Sequence, residues 1–374
     1  MKGGWTYVFT AAVVYVGVKL KKIALHWRVK FPNMFFRNVV CLLIGLIVGV
    51  RLTDFWDYVK LQQLSNNARL NYTNSTQPLT RTSAQDADTL PEFLFNNTRV
   101  LCWIMTMPEN HLKRAVHIRN TWGKRCNKLL FMSTKADSFL DTVVLDVPEG
   151  RDYLWYKTRA AFMYIYEHHA DEADWFLKAD DDSYFIMENL RAFLYQFSPD
   201  APVYFGCKFH PFVKQGYMSG GAGYVLSRAA LRRFAEVAAA NSSACSQNQL
   251  SEDKEMGICL QNAGVVAGDA RDVEGAERFH PLAPIHLIPV DTSEWYPLYL
   301  FYKRDKNLQC CSRSAISFHY IKPKEFYVLE YFLYELRPFG VGNVAHTLPA
   351  KANMSALMKK WQHELSNNIF KDED

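Results

Sequence analysis

The sequence predicts an α/β fold, a mostly parallel central sheet flanked by helices. Three observations point to it. From residue 99 onward, short apolar runs alternate with segments whose apolar residues recur at helical spacing. A polar stretch, residues 57–98, sets this region apart from an apolar, basic N-terminus. Three consecutive carboxylates, Asp180, Asp181 and Asp182, stand directly behind one apolar run. In open α/β sheets that position, the carboxyl end of a strand, is where ligands bind.

The chain has 374 residues, 49% of them hydrophobic and 14% aromatic, enough to bury a sizeable core. Its formal net charge is +5, and the excess is local. Residues 1–53 carry eight of the 43 Lys/Arg and no acid, which leaves 35 basic against 38 acidic residues beyond them. The bulk of the protein is therefore slightly acidic and has no general attraction for nucleic acid.

Two uncharged apolar runs explain the basic N-terminus. Residues 38–50, "NVVCLLIGLIVGV", lie between Arg37 and Arg51; residues 3–18 form the other run. Each is shorter than the ~20 residues that span a bilayer. The second run extends over residues 36–56 if Arg51 snorkels and Trp56 anchors at the interface. Six Lys/Arg at 19–37 precede it and hold that side in the cytoplasm. This predicts a type II anchor at 36–56, a cytoplasmic tail at 1–35, and a lumenal bulk. A second membrane-associated segment at 3–18 stays open. A cleaved signal peptide is the alternative, but no clear small-residue cleavage site follows the second run.

Sequons and cysteines agree with a lumenal bulk. Asn71, Asn74, Asn96, Asn241 and Asn353 each open an Asn-x-Ser/Thr triplet, all after the membrane run. N-glycosylation is expected on at least one of Asn71, Asn74 and Asn96. Beyond Cys41 there are seven cysteines without zinc-site spacing, so disulfides and one odd thiol are expected.

Along the chain, residues 57–98 are rich in Asn, Ser and Thr and read as a stem. A catalytic domain over 99–340 and a C-terminal tail over 341–374 follow. "VLCWIMTM", "LLFMST" and "TVVLDV" read as buried strands. Residues 152–169 read as a helix, with Tyr153, Tyr156, Ala160, Met163 and Tyr164 at helical spacing. Strand "WFLKA", the Asp triplet and helix "IMENLRAFLYQF" come next, then strand "VYFG", a Gly-rich turn and a helix over 227–240.

An Asp triplet in a turn is usually a solvated cap. Here Trp175, Phe176 and Leu177 place it at the rim of a core, where unpaired charge is costly. A divalent cation such as Mn²⁺ removes that cost and completes its shell with substrate phosphates. Asp180 and Asp182, on alternate residues of an extended segment, can share one ion. This Asp-x-Asp pattern suits nucleotide-sugar glycosyltransferases.

Several blocks then resemble one family. "RVLCWIMT", "NTWGKRCNKLLFMS", "EGRDYLWYKT", "DWFLKADDDSYF", "VKQGYMSGGAGYVLS" and "CCSRSAISFHY" are similar to the core 1 β1,3-galactosyltransferases, from about residue 99 to residue 338. The resemblance implies a GT-A glycosyltransferase fold, Mn²⁺, Golgi residence and a homodimer. It also implies UDP-galactose as donor and glycoprotein GalNAc-Ser/Thr as acceptor. It makes Asp180, Asp182 and His319 the metal ligands. In "SEDKEMG" it makes Asp253 the catalytic base, with Glu252 beside it; capping of the helix behind Ser251 is the alternative role for these acids. Met105, Thr106, Asn110, Glu149, Gly150, Arg151 and Lys157, with Asp180 and His319, are expected at the nucleotide. Trp295, Tyr296, Gly220 and Gly221 are expected at the sugars.

Disulfides Cys102–Cys126, Cys245–Cys259 and a vicinal Cys310–Cys311 are expected. Cys207, where the family usually has a basic residue, is left as the free thiol. Two rivals remain at this stage: a silent paralogue acting as a chaperone for the transferase, and a fringe-like β1,3-glycosyltransferase with another donor. Retention of Asp180, Asp182, Asp253 and His319 favours the enzyme.

Overall fold

The run Val100–Met105 alternates strictly between two cores. Val100, Cys102 and Ile104 pack on one face of the sheet; Leu101, Trp103 and Met105 pack on the other. A strand buried on both faces needs apolar residues throughout, which is why the run is unbroken. The computed structural model describes residues 85–240, 244–245, 251–288, 295–303, 310–337 and 350–367, all within the unit Arg81–Asp374. The expected cytoplasmic tail at 1–35, the anchor at 36–56 and the sequons at Asn71, Asn74 and Asn241 lie outside these residues. Among the described residues no helix is long and apolar enough to cross a membrane.

The strands are β1 (Val100–Met105), β2 (Lys128–Ser133), β3 (Thr142–Val144), β4 (Trp175–Asp180), β5 (Tyr184–Phe185), β6 (Val203–Gly206), β7 (Lys208–Phe209), β8 (Tyr217–Met218), β9 (Tyr224–Ser227), β10 (Val266–Ala267), β11 (Phe279–His280) and β12 (Ser317–Phe318). Seven of them form one sheet in the order β10-β6-β9-β4-β1-β2-β3. Neighbours are parallel except around β9, which is antiparallel to both β4 and β6. The sheet is thus mixed, and one strand departs from the expected parallel pattern. The chain re-enters the sheet from the Gly-rich turn at the carboxyl end of β4, so β9 can only run back. That path places the turn beside Asp180.

The helices of eight residues or more are α1 (Gln85–Asn97), α2 (Leu154–His169), α3 (Met187–Leu194), α4 (Arg228–Ala239), α5 (Glu252–Asn262), α6 (Pro323–Glu330) and α7 (Met354–Asn367). Trp155, Phe162, Phe234 and Leu260 close one face of the sheet from α2, α4 and α5. Leu190, Phe193 and Trp361 help close the other from α3 and α7. The Ser227 hydroxyl caps α4 by accepting from the Ala230 N–H.

Two segments set apart in the sequence belong to the folded unit. Helix α1 lies inside the stretch read as stem. Leu94 is buried, Phe93 packs on Tyr195, and Arg191 stacks over Phe95. The polar average of residues 57–98 hid the apolar cluster "LPEFLF". Asn96 is exposed on this helix. Helix α7 lies inside the stretch read as tail. Met354, Leu357, Met358 and Trp361, spaced as one helical stripe, pack into the core. Trp361 is only 5% exposed, beside Phe197 and Phe205.

Disulfides join Cys102 to Cys126, Cys245 to Cys259 and Cys310 to Cys311, and Cys207 is a buried free thiol. A second sheet, β11-β12-β5, carries the late residues of the chain back to the Asp triplet.

Candidate active site

Strand β4 ends at Asp180, opposite Met105 of β1. A turn follows, with the Ser183 N–H donating to the Asp180 carbonyl. The segment after β12 docks on that turn: the Ile321 N–H donates to the Asp182 carbonyl at 2.9 Å. His319 therefore faces the triplet, with Nε2 3.0 Å from Asp182 Oδ1 and 3.7 Å from Asp180 Oδ2. One donor atom from each of the three side chains lies within 4.8 Å of the others. Asp180 and Asp182 converge through the turn and not through strand alternation, because the strand has already ended.

This donor set fits a divalent cation. His319 Nδ1 faces the carbonyl of Pro281 at 3.2 Å, and a carbonyl can only accept. Nδ1 is therefore the protonated nitrogen, and Nε2 is aimed at two carboxylates. A lone pair there needs a proton or a metal ion between it and them. A carbonyl holding the far nitrogen of a ligating histidine is the usual orienting device. Two carboxylates and an imidazole suit Mn²⁺.

The charge of the triplet is balanced by groups the sequence did not single out. Lys178, 2% exposed, donates to Asp180 Oδ1 at 2.6 Å and to the Gly220 carbonyl at 3.1 Å, with Glu252 Oε2 at 3.7 Å. Burial alone would lower its pKa, but Asp180 and Glu252 outweigh it and keep the ammonium protonated. Arg114 reaches Asp182 at 2.8 Å and Asp181 at 3.3 Å. Burial pushes Asp182 up, yet the hydrogen bond and charge of His319, together with Arg114, hold it below its ordinary value. Asp181 turns to Thr106 and Asn110 instead, and burial pushes its carboxyl up to about 6.

The Gly-rich turn separates this cluster from two further acids. A Cβ at Gly221 would overlap the His319 ring, and one at Gly220 would come within 2.8 Å of Glu252 Oε2. Ser183 and Ser317 pin the turn by donating to the Gly221 and Ala222 carbonyls. On its far side, Asp253 accepts from the Gly220 N–H at 3.1 Å and from the Lys254 N–H at 2.9 Å. Each of its oxygens keeps a free lone pair. Glu252 is more deeply buried and is held by Thr158 at 2.9 Å and Tyr224 at 2.6 Å. Burial raises the pKa of both acids, opposed by Lys178 for Glu252 and by the two backbone donors for Asp253. Ser251 makes no side-chain cap to α5, and Asp253 ties the helix to the turn instead of capping it.

Gly221 gives a direct test of the metal reading. Gly221→Ala should displace the His319 ring and weaken Mn²⁺ binding roughly tenfold or more while the fold survives. Manganese titration by electron paramagnetic resonance, with circular dichroism as control, measures both. Unchanged affinity would remove His319 from the metal set.

The residues expected at the nucleotide lie beside the triplet, but several are engaged within the protein. Thr106 and Asn110 donate to Asp181 Oδ2 at 2.8 and 2.9 Å. Lys157 is buried and donates to the Thr106 carbonyl and to Glu149. Glu149 also accepts from Thr134. Gly150 has a φ of 125°, a conformation open to glycine, and Arg151 is exposed at the start of the next helical turn. Met105 is buried at the end of β1. Thr106, Asn110 and Lys157 thus shape this end of the sheet from beneath, while Glu149 and Arg151 remain accessible.

Trp295 and Tyr296, expected together at the sugars, part company. Trp295 is 41% exposed, whereas Tyr296 is buried, its hydroxyl 3.7 Å from Cys207 Sγ. The Tyr296 ring packs in the core against Phe209. Burial raises the Cys207 thiol well above its ordinary pKa, so it is a packing residue here.

Comparison with known proteins adds to this geometry. Residues 96–291 match the Fringe-like family model. The chain is 45% identical over 287 residues to glycoprotein-N-acetylgalactosamine 3-beta-galactosyltransferase 1 of Xenopus laevis, covering 71% of this chain and 79% of that protein. It is 26% identical over 198 residues to a beta-1,3-glucosyltransferase of Mus musculus, covering 50% of this chain and 38% of that one. Human chondroitin sulfate synthase 3 is 28% identical over 181 residues, 43% of this chain and 20% of that protein.

Proposed function

The chain belongs to the Fringe-like family, within its glycoprotein-N-acetylgalactosamine 3-β-galactosyltransferase branch, and from that premise we propose the following reaction and site. The enzyme transfers galactose from UDP-galactose to GalNAc O-linked to Ser or Thr, with inversion at the galactose C1. The observation that carries the site is the two-glycine turn with Asp180, Asp182 and His319 on one side and Asp253 on the other.

In this reading Asp253 accepts the proton of the GalNAc 3-hydroxyl as that oxygen bonds to galactose C1. The bond from C1 to the diphosphate breaks, and UDP leaves with the electron pair. Asp180, Asp182 and His319 would hold Mn²⁺, which when bound supplies a Lewis acid for the departing diphosphate. Lys178 fixes Asp180 and the Gly220 carbonyl, so the ligand side and the base side keep one spacing. Glu149 and Arg151 face the nucleotide, and Trp295 faces a sugar. The fold is of GT-A type. The basic, apolar N-terminus supports a type II anchor in the Golgi with the catalytic domain lumenal, and the enzyme works as a homodimer.

The full chain in detergent, given UDP-galactose, Mn²⁺ and a GalNAc-Ser/Thr glycopeptide, should yield Gal-β1,3-GalNAc, identified by NMR of the product. Binding of UDP without transfer of any sugar would point to the chaperone-like paralogue. Transfer only from another UDP-sugar would point to a fringe-like donor choice.

A further inference from the structure

The loop from His210 to Gly216 joins β7 to β8 and runs along the base helix α5. Phe212 stands at its crest, 66% exposed, with a φ of 76°. A bulky residue in this left-handed region is strained and persists only where its surroundings hold it. They do so from both ends. His210 donates its N–H to the Tyr299 carbonyl and sets its ring against the Leu298 carbonyl. Gln215 accepts from the Ala267 N–H and donates to the Val265 carbonyl, while its own N–H reaches Gln261 of α5. The exposed ring is then met by Lys254, whose ammonium sits 4.6 Å from the ring centre. Lys254 directly follows Asp253 and gives that carboxylate its backbone N–H.

An aromatic face and a cation thus meet at the residue that follows the catalytic carboxylate on α5. Neither contributes to the core, and neither belongs to the metal cluster. We propose that Phe212 and Lys254 form an aglycone subsite, which holds the peptide on which the acceptor GalNAc is carried. The assignment rests on the galactosyl-transfer reading. The GalNAc 3-hydroxyl must meet Asp253, and the peptide hangs from C1, two carbons along the ring from that hydroxyl. The surface next to Asp253 on α5 therefore meets peptide. Phe212 offers a flat apolar face to side chains and prolines, and Lys254 offers donors to peptide carbonyls.

The test is binding, measured by calorimetry on the full chain loaded with UDP and Mn²⁺, with two probes: a GalNAc-Thr glycopeptide and methyl α-GalNAc. Phe212→Ala and Phe212→Gly should each weaken glycopeptide binding roughly tenfold and leave methyl α-GalNAc within about twofold. Phe212→Trp should retain the wild-type preference, and Lys254→Met should lose part of it. The glycine variant relieves the backbone strain, so a loss shared by both small variants reports the missing ring and not a disturbed loop. Equal weakening of both probes would assign the ring to the sugar, and no change in either would remove it from the acceptor site; both results overturn the proposal. Turnover with methyl α-GalNAc, measured separately, tests the underlying reaction: it should persist in every variant, and its absence in the wild type would instead overturn the transfer reading.

Discussion

Asp253→Asn should abolish galactosyl transfer and leave UDP and Mn²⁺ binding nearly intact. The base acts on the acceptor, so its loss falls on the chemical step, typically by about 10²–10⁴-fold. Asparagine is isosteric and can still accept the Gly220 or Lys254 N–H, so the turn keeps its support on that side. Calorimetry of UDP with Mn²⁺, beside turnover on the glycopeptide, separates the two effects. Turnover within a few-fold of wild type would move the assignment to Glu252. Glu252 is the poorer candidate, since Thr158, Tyr224 and Lys178 already surround its oxygens. The pH profile gives a second reading. A base must be unprotonated, and burial raises Asp253, so the acid limb of the rate should lie above the ordinary aspartate range of about 4. The rate should climb through that limb as pH rises.

Asp182→Asn should instead weaken Mn²⁺ binding by about 10²-fold or more, and UDP binding with it, because the ion joins protein to diphosphate. This carboxylate faces His319 at 3.0 Å and Arg114 at 2.8 Å, so its charge is the one on which the other two groups converge. By turnover the two variants should look equally inactive. They differ in the nucleotide: UDP affinity should depend on added Mn²⁺ in Asp253→Asn and lose that dependence in Asp182→Asn. Metal-dependent UDP binding that survives in Asp182→Asn would exclude this aspartate as a ligand.

Much of the sheet was legible because burial on both faces writes itself as an unbroken apolar run. That holds for β1 and β6, for β2 between Lys128 and Ser133, and for β4 before Asp180 apart from Lys178. The two-residue strands β5, β7, β8, β10, β11 and β12 are too short to carry any period, and the direction of β9 is set by where the preceding turn lies in space. At the site, Asp180 and Asp182 stood out as charge behind an apolar run. His319 came only through the resemblance, since no spacing links it to residues so far upstream. Lys178 carried a readable signal, a single cation within an apolar strand, yet two of its three partners, Gly220 and Glu252, come from distant segments. Arg114 had none. Glu252 and Asp253 are equivalent in sequence, but successive residues on a helix point about 100° apart. One therefore enters the core and the other faces the turn.

The seating of Trp361 beneath Phe205 bears on how the protein is made. A chain synthesised from its N-terminus completes the central strands long before α7 emerges, and domains tend to fold in the order they appear. Until residue 361 is available, Phe197 and Phe205 lack the ring that covers them, and until residue 319 is available the Asp triplet lacks its histidine. Before then Phe197 and Phe205 are uncovered on that side, and Lys178 and Arg114 face the Asp triplet without the imidazole.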